Sequence, residues 1–302
     1  MAGLRIDPGS VCAVIVTYRP EAEFAGYLEA IRSQFHPVIV VDNGSAGAAL
    51  DMLRGLAGTD VVLLEQGRNT GLGAALNTGV REARARGFRW AVLFDQDTLP
   101  TGDLAACFAG ILADHPEAEN IAVIGSRFQD RNRPPAAPEC TKDGGPLWID
   151  KRRVITSGSL LSLAAFEALG PFREDLFIDS IDHEFCHRAK DGGWRVLQTA
   201  ATLLSHSVGN YRRHNLLGLK IWRSHHSAVR CFFMTRNRML LARERGQFGK
   251  LLRGGFRALE DVGLLLLFEE DKAAKVRATL AGYVAGIRHD TALPDWLKCK
   301  LG

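Results

Sequence analysis

The sequence predicts an α/β fold: a mostly parallel sheet flanked by helices, with a C-terminal helical extension. Two observations support this class. Apolar, β-branched runs alternate with amphipathic helix patterns four times in about a hundred residues, which is typical of parallel strands joined by right-handed crossovers. From residue 219 to the end, the helix pattern dominates.

The individual elements follow from the period of the apolar residues. Strand patterns cover residues 11–17, 38–41, 61–65, 90–94, 155–162 and 194–199. Helix patterns cover residues 21–34, 48–56, 73–86, 163–169, 181–192 and most of the chain from 219 onward. The predicted loops are 130–146, which is rich in proline, glycine and charge, and 170–180.

Composition limits the class of protein. The 302 residues carry a formal net charge of +4, with 46% hydrophobic and 24% charged residues, a balance that fits a globular protein and does not indicate nucleic-acid binding. The six cysteines form no Cys-x-x-Cys pair, which argues against a zinc site and fits reduced thiols. Without a signal-peptide pattern or an apolar run of spanning length, the sequence predicts a cytoplasmic protein.

Polar clusters stand where the first four predicted strands end. They are Thr17-Tyr18-Arg19, Asp42-Asn43, Gln66 to Asn69, and Asp95-Gln96-Asp97. In an open parallel sheet, ligands bind beyond the carboxyl ends of the strands. The four polar ends therefore predict a binding site at one edge of the sheet.

Asp95-Gln96-Asp97 is a candidate metal site. Aspartates two residues apart on an extended segment point to the same side. Two such carboxylates can hold Mg²⁺ or Mn²⁺, which keeps water and substrate phosphate oxygens in its other positions. Two aspartates in a surface turn are the alternative, but the apolar strand directly before them favours the metal interpretation.

Residues 69–77 form a glycine turn that opens a helix. The turn follows the third strand and lacks the third glycine of a dinucleotide-binding fingerprint. Close packing of small residues explains part of the pattern. The functional interpretation adds backbone N–H groups and the Arg68 side chain near the phosphates of a ligand.

Asp42, at the end of the second strand, has two equally supported interpretations. It is a turn residue or the N-cap of the next helix, or its carboxylate accepts a hydrogen bond from the N3–H group of a pyrimidine. The sequence leaves both open.

A second acidic group stands at the start of the helix predicted at 181–192. Asp182 and Glu184 are two residues apart, and Asp179 lies just upstream. Acidic residues stabilise helix N-termini, but a carboxylate here can also remove a proton from an acceptor hydroxyl as a general base. His206 could supply a third metal ligand, although a lone histidine is more often an ordinary polar residue.

Together these motifs resemble glycosyltransferase family 2. The matching segments are VIVTYRP (14–20), VVDNGS (40–45), NTGLGAALN (69–77), DQD (95–97), SGSLLS (157–162), IDHEFCHR (181–188) and SHSVG (205–209). Each is weak, but their order over about residues 11–210 makes the set specific. The resemblance implies a GT-A, Rossmann-like fold, a nucleotide-sugar donor, a divalent metal (Mg²⁺ or Mn²⁺) and transfer with inversion.

The resemblance also implies roles for single residues. Asp182 is the catalytic base, and the metal ligands are Asp95, Asp97 and His206. The donor-binding residues are Thr17, Tyr18, Arg19, Asp42, Asn43, Arg68, Asn69, Gly73, Asn77, Asp95 and Gln96. Asp179, Glu184 and Trp194 have acceptor-side or secondary roles.

By the same resemblance, residues 1–215 form the catalytic domain, with a nucleotide-sugar half at about 1–100 and an acceptor half at about 101–215, and residues 216–302 form the helical region. More narrowly, four segments are similar to those of bacterial rhamnosyltransferases that use dTDP-L-rhamnose. They are TYRP, DQD, LFIDSIDHEFCHRA (176–189) and MTRNRMLLARE (234–244). The implied acceptor is a hydroxyl of a cell-surface glycan or a lipid-linked glycan. His183 and Phe185 depart from the commoner acid segment, so a different donor, such as UDP-galactofuranose, is an alternative.

The helical tail raises two further hypotheses. Its basic and apolar segment contains His225, His226, Phe232, Phe233, Arg236 and Arg238. Such a segment can touch the inner face of the cytoplasmic membrane, but we give more weight to packing of the two phenylalanines onto the catalytic domain. A homodimer formed through the tail is the second hypothesis.

Three other classes compete. A nucleotidyltransferase needs a glycine- and lysine-rich loop after the first strand, where this chain has Thr17-Tyr18-Arg19-Pro20. A non-catalytic sugar-nucleotide-binding protein would not need the complete set Asp95, Asp97 and Asp182. A glycoside hydrolase also uses two carboxylates, but it leaves Asp42 and the glycine turn unexplained.

Overall fold

A computed structural model describes residues 10–131, 145–206, 212–216, 219–223 and 225–300. The side chains at 206, 212–216 and 219–223 lie outside this description. Most of the predicted loop 130–146 also falls outside the described residues.

Strands and helices alternate through the first half of the chain. The described strands are β1 (Val11–Thr17), β2 (Val38–Asp42), β3 (Val61–Glu65), β4 (Trp90–Asp95), β5 (Leu99–Pro100), β6 (Ile121–Asp130), β7 (Trp148–Asp150), β8 (Ser159–Ser162), β9 (Arg195–His206), β10 (Arg212–Leu216) and β11 (Leu219–Arg223). The described α-helices are α1 (Phe24–Arg32), α2 (Ala48–Leu56), α3 (Leu72–Ala85), α4 (Leu104–Asp114), α5 (Leu163–Leu169), α6 (Ile181–Asp191), α7 (Ala228–Glu244), α8 (Phe248–Phe268), α9 (Lys272–Arg288) and α10 (Asp295–Lys298).

Nine of the described strands form one sheet, in the order β3-β2-β1-β4-β8-β6-β9-β5, with β7 paired to β9. The predicted parallel pairing holds for β1 with β2 and β4, and for β2 with β3. Every residue of β1 and β2 is buried, which explains why their sequences are continuous apolar runs. Because β8 runs antiparallel to both β4 and β6, the sheet as a whole is mixed.

Several predicted elements differ from those observed. The strand predicted at 155–162 begins only at Ser159, because the chain turns just before it: the Ser159 N–H donates to the Thr156 carbonyl (3.1 Å). The strand predicted at 194–199 continues to His206. The helix prediction is wrong for 219–223, which forms β11 and pairs antiparallel with β10. The five residues LKIWR are too few for their apolar period to distinguish a strand from a helix.

The chain divides into two compact units. The first comprises residues 1–174 and 182–207, and the second comprises residues 175–181 and 208–302. The core of the first unit includes the buried side chains of Ile31, Phe94 and Phe108. Burying a side chain of this size contributes about 1.5–3 kcal/mol, so this core is the main source of stability for the sheet.

In the second unit, α7 and α9 pack in close contact. A Cβ atom at Gly282 would lie 2.4 Å from the Phe232 carbonyl oxygen, and one at Gly286 would lie 2.5 Å from that of Arg236, so larger residues are excluded. Phe232, Phe233 and Arg236 are at most 2% exposed. The two phenylalanines therefore pack inside the second unit and are not available to a lipid surface. No helix among the described residues is long and apolar enough to cross a membrane.

Candidate functional site

Parallel pairing brings the polar strand ends of the first unit to one edge of the sheet. Thr17 pairs with Asp42, Asp42 pairs with Glu65, and Val16 pairs with Asp95. Paired strands lie about 4.8 Å apart. The predicted convergence of the strand ends is confirmed by this register.

Hydrogen bonds join the loops that follow these strands. The Tyr18 N–H donates to Gln96 Oε1 (2.7 Å), which links the ends of β1 and β4. The Arg19 N–H donates to Ser45 Oγ (2.8 Å), which links the ends of β1 and β2. The exposed Arg19 guanidinium lies 5.0 Å from the centre of the Tyr18 ring. A cation therefore stands at the rim of the site.

Asn43 connects β2 to the glycine turn. Its Oδ1 accepts from the Thr70 N–H (2.8 Å), and its Nδ2 donates to Asn69 Oδ1 (3.2 Å). Gly44 makes this approach possible: its φ is +96°, and a Cβ atom there would lie 2.4 Å from the carbonyl carbon of Arg68. The Arg68 side chain is exposed beside this junction.

Asp42 is fixed by the turn that follows it. The carboxylate, 1% exposed, accepts hydrogen bonds from the N–H groups of Gly44 (3.3 Å) and Ser45 (3.0 Å). Thr17, also buried, directs its hydroxyl to the Val41 carbonyl (3.4 Å). The turn role predicted for Asp42 is present, and its contact with a nucleoside remains a prediction.

Two side chains hold the Asp95-Gln96-Asp97 segment in place through hydrogen bonds to its backbone. The Asp95 N–H donates to Ser157 Oγ (3.1 Å), and the Arg131 guanidinium donates to the Asp97 carbonyl. Both carboxylates are half-buried. Ser157 and Arg131 were not among the predicted site residues. Ser157 lies in the SGSLLS motif, whereas nothing in the local sequence marks Arg131.

Asp95 and Asp97 are the described side chains on which the metal prediction rests. Within the part of the chain that the structure describes, no three or more His, Cys, Asp and Glu side chains are grouped to hold a metal ion. The side chain of His206 lies outside the described residues; its backbone follows Ser205, which pairs with Leu99. Mg²⁺ is commonly held by one or two carboxylates plus substrate phosphates, so the two aspartates fit a divalent cation.

α3 holds the chain segment that leads toward α6. The Asn77 amide donates to the Phe172 carbonyl (2.9 Å) and to Glu174 Oε1 (2.9 Å), and it accepts from the Phe172 N–H (2.9 Å). A Cβ atom at Gly73 would lie 2.8 Å from the Arg173 carbonyl oxygen. Asn77 and Gly73 therefore have structural contacts, and their predicted contacts with the donor remain predictions.

The two acids in the first turn of α6 have different surroundings. Glu184 is 8% exposed and forms a two-bond ion pair with Arg188 (2.8 and 2.9 Å). The same guanidinium donates to the carbonyls of residues 169–171. Asp182 is more exposed and accepts from the His183 N–H (2.7 Å). Glu184 thus has a structural ion pair, whereas Asp182 lies closer to solvent.

An aromatic cluster anchors α6 in the first unit. The Phe185 ring lies 4.9 Å from Phe172 and 6.4 Å from Phe166, measured between ring centres. After the helix, the Trp194 N–H donates to the Ala189 carbonyl (2.8 Å), and the half-buried Trp194 stands just before β9. These contacts fix the helix that carries Asp182.

In the second unit, α7 holds the backbone of residues 175–181. Asn237, which is fully buried, donates to three carbonyls of this segment, those of Leu176 (2.9 Å), Ile178 (2.8 Å) and Asp179 (2.8 Å). Arg236 donates to a fourth, that of Asp175 (2.6 Å). Sequence reasoning missed both residues as supports, because polar residues inside a helix pattern give no sign of their partners.

The same segment has unusual backbone geometry. Phe177, Asp179 and Ser180 have φ values of +61°, +66° and +67°, a region that non-glycine residues rarely adopt. The Asp179 carboxylate pairs with Arg230 at 3.1 and 3.2 Å. A strained backbone conformation persists only where surrounding contacts hold it in place. Here those contacts are the hydrogen bonds from α7 and the ion pair with Arg230.

The architecture is that of the GT-A transferases. The chain is similar to S. aureus TarS 1–349, with a TM-score of 0.56 and 13% identity over 93% of this chain and 82% of that one. Against a longer TarS chain, the match covers 67% of this chain and 37% of that one (TM-score 0.50, 16% identity). GalNAc-T7 with UDP, GalNAc and Mn²⁺ gives a TM-score of 0.51 at 13% identity, covering 76% and 48%. At these identities the likeness shows the fold, and it confirms the predicted class.

Sequence similarity then defines the family. The family model of glycosyl transferase family 2 matches residues 12–161. The dTDP-rhamnosyl transferase RfbF of Shigella flexneri is 30% identical over 247 residues, which is 78% of this chain and 80% of that protein. The chain belongs to glycosyltransferase family 2 and is a glycosyltransferase, as the motifs predict.

Proposed function

We propose that this glycosyltransferase moves L-rhamnose from dTDP-L-rhamnose to a hydroxyl of a cell-surface glycan or a lipid-linked glycan, with inversion. The observation that carries the proposal is the hydrogen-bond network that joins the strand ends of the first unit, with Asp95 and Asp97 at its edge. The rhamnose donor is supported by the similarity to the Shigella enzyme. We further propose that the donor is used in the cytoplasm.

The buried pair Thr17 and Asp42 is proposed to receive the nucleoside. A carboxylate offers about four lone-pair directions, and the turn amides of Gly44 and Ser45 use only part of them. The remaining capacity suits the N3–H of thymine. The carboxylate is 1% exposed in the chain without ligand, so this contact requires the loop beside Asp42 to move when the nucleoside binds.

The diphosphate is proposed to lie between Asp95, Asp97 and the exposed Arg68 at the glycine turn. A divalent cation held by the two aspartates would neutralise charge on the diphosphate leaving group. The chain's own contribution is rigidity: Ser157 and Arg131 bind the backbone of the Asp95–Asp97 segment on both sides. Arg68 adds a positive charge that favours the phosphates.

Asp182 is proposed as the general base. Glu184 is engaged by Arg188, which leaves Asp182 as the first-turn acid closer to solvent. Its carboxylate would take the proton of the acceptor hydroxyl while that oxygen forms a bond to the anomeric carbon. The bond from this carbon to the diphosphate oxygen breaks in the same step, which inverts the configuration. Asp179 and Trp194 are proposed to support the acceptor side.

The donor assignment is tested by thermal stabilisation with dTDP, dTDP-rhamnose and UDP sugars, with and without Mg²⁺ or Mn²⁺. A ligand at 100 times its Kd stabilises the folded state by about 2.7 kcal/mol, or roughly 5–11 °C for a unit of this size. We expect a metal-dependent shift with dTDP-rhamnose that Asp97→Ala removes and Asp114→Ala, at an exposed control position, retains. A larger shift with UDP sugars would replace rhamnose with another donor, such as UDP-galactofuranose.

The base assignment is tested by Asp182→Asn. Loss of a general base lowers the rate by about 10²–10⁴-fold, while donor affinity measured by calorimetry should stay unchanged. Asp191→Asn, at the last residue of the same helix, is the matched control and should retain transfer. Equal loss of donor affinity and rate in Asp182→Asn would show that this residue binds the donor. Donor binding without transfer in the wild type would favour the non-catalytic alternative.

A further inference from the structure

Helix α8 in the second unit presents a long apolar strip to solvent. Phe248, Leu252, Phe256 and Leu259 are 75%, 71%, 75% and 65% exposed. Near the end of the helix, Leu266 and Leu267 are 51% and 59% exposed. Scattered exposed apolar residues are normal, but a continuous strip indicates an interaction surface.

The spacing places these side chains on one face. At 100° per residue, the six positions fall within an arc of about 100° and extend along roughly 28 Å of the helix. A different face packs within the second unit, through the buried Gly254, Ala258 and Leu265. The exposed strip is therefore additional to the face that holds α8 in place.

Basic residues border the strip. Lys250, Arg253 and Arg257 are exposed on the polar side of α8, where Glu260 is the exposed acid. Asp261, the other acid of this helix, faces Arg238 at 3.8 Å. The surface thus combines a Phe- and Leu-rich strip with a positively charged edge.

We propose that α8 is a membrane-docking helix that lies in the plane of an anionic bilayer. The phenylalanines and leucines would enter the boundary between headgroups and acyl chains, and the three cations would meet lipid phosphates. This combination is typical of interfacial helices, and the positive edge selects an anionic lipid surface as the occupant. The proposal goes beyond the transferase function and does not depend on the donor or on Asp182.

The test is flotation of the full chain with vesicles of phosphatidylcholine, with and without phosphatidylglycerol, at low and high salt. Each basic residue near an anionic surface contributes about fivefold in binding, or on the order of 100-fold for three. We expect Lys250→Gln/Arg253→Gln/Arg257→Gln to lose about that factor on anionic vesicles. The matched control, Arg89→Gln/Arg152→Gln/Arg153→Gln, removes three exposed charges from the first unit and should bind like the wild type.

A second variant tests the apolar strip. Replacing Phe248, Leu252, Phe256 and Leu259 with glutamine should lower vesicle binding at least tenfold without lowering the melting temperature, because these side chains are mostly exposed in the folded chain. Wild-type protein that does not float with anionic vesicles at low salt would overturn the proposal. It would also be overturned by a wild-type dimer in solution that this variant converts to a monomer, since a second copy would then cover the strip.

Discussion

Asn77→Ala separates a structural role of Asn77 from the donor-binding role suggested by the sequence. The side chain is fully buried and makes three hydrogen bonds of 2.9 Å to Phe172 and Glu174. Glu174 is exposed, so its carboxylate can turn to water when the amide is removed. The N–H and carbonyl groups of the buried Phe172 would instead lose these partners.

The expected loss of stability follows from the N–H and carbonyl groups of Phe172. A buried backbone group left without its hydrogen bond costs about 1–3 kcal/mol, so we expect Asn77→Ala to lose about 3 kcal/mol of unfolding free energy. For a unit of about 200 residues, this lowers the melting temperature by roughly 6–12 °C. Thermal unfolding without ligand measures the effect, and calorimetry with the donor should show little change in affinity.

Asn120→Ala is the control, because Asn120 is exposed in the same unit, and its replacement should change stability by less than about 0.5 kcal/mol. If Asn77→Ala melts like the wild type, the hydrogen-bond argument is refuted. A tenfold loss of donor affinity at unchanged stability would restore Asn77 as a donor-binding residue.

Two further predictions concern buried polar groups. Asn237→Leu removes the donor to three carbonyls of residues 175–181 and should cost about 2–4 kcal/mol in urea unfolding; an unchanged midpoint would show that the segment is held in another way. Burial raises the pKa of the Cys12 and Cys186 thiols from 9.0 to about 12. The unfolded chain therefore releases these protons first, so stability is retained below pH 9 and falls above it by about 1.4 kcal/mol per thiol per pH unit. Cys12→Ala/Cys186→Ala should flatten this fall, and equal slopes would contradict it.

The first half of the fold is predictable because local pattern and tertiary environment agree. β1 and β2 are buried along their whole length, so a continuous apolar run has one consistent interpretation. Prediction fails where the segment is too short for its pattern to separate one element from another. Residues 219–223 have a short pattern that fits more than one element, and their pairing with β10 decides the outcome.

The candidate site also contains residues that the local sequence marks and residues that it does not. The motifs identify Asp42, Asp95 and Asp97 because each follows an apolar strand directly, and parallel pairing then aligns the strand ends without further information. Arg131 and Asn237 are different. Their roles depend on carbonyl groups 34 and 58–61 residues away, and no local property of an arginine or asparagine specifies such a partner.

The acids of α6 show how structure narrows a chemical assignment. In the sequence, Asp182 and Glu184 are two carboxylates in one helix turn, and either could act as a base. In the folded chain, Arg188 donates to both oxygens of Glu184 and also to the carbonyls of Leu169 and Gly170 at the end of α5. Glu184 is buried whereas Arg188 is partly exposed. Removing the arginine would leave a buried carboxylate without this partner, which is destabilising, so Glu184 is committed to holding α6. Asp182 lies on the same anchored helix and is more exposed than Glu184, which supports the proposal that it receives the acceptor proton.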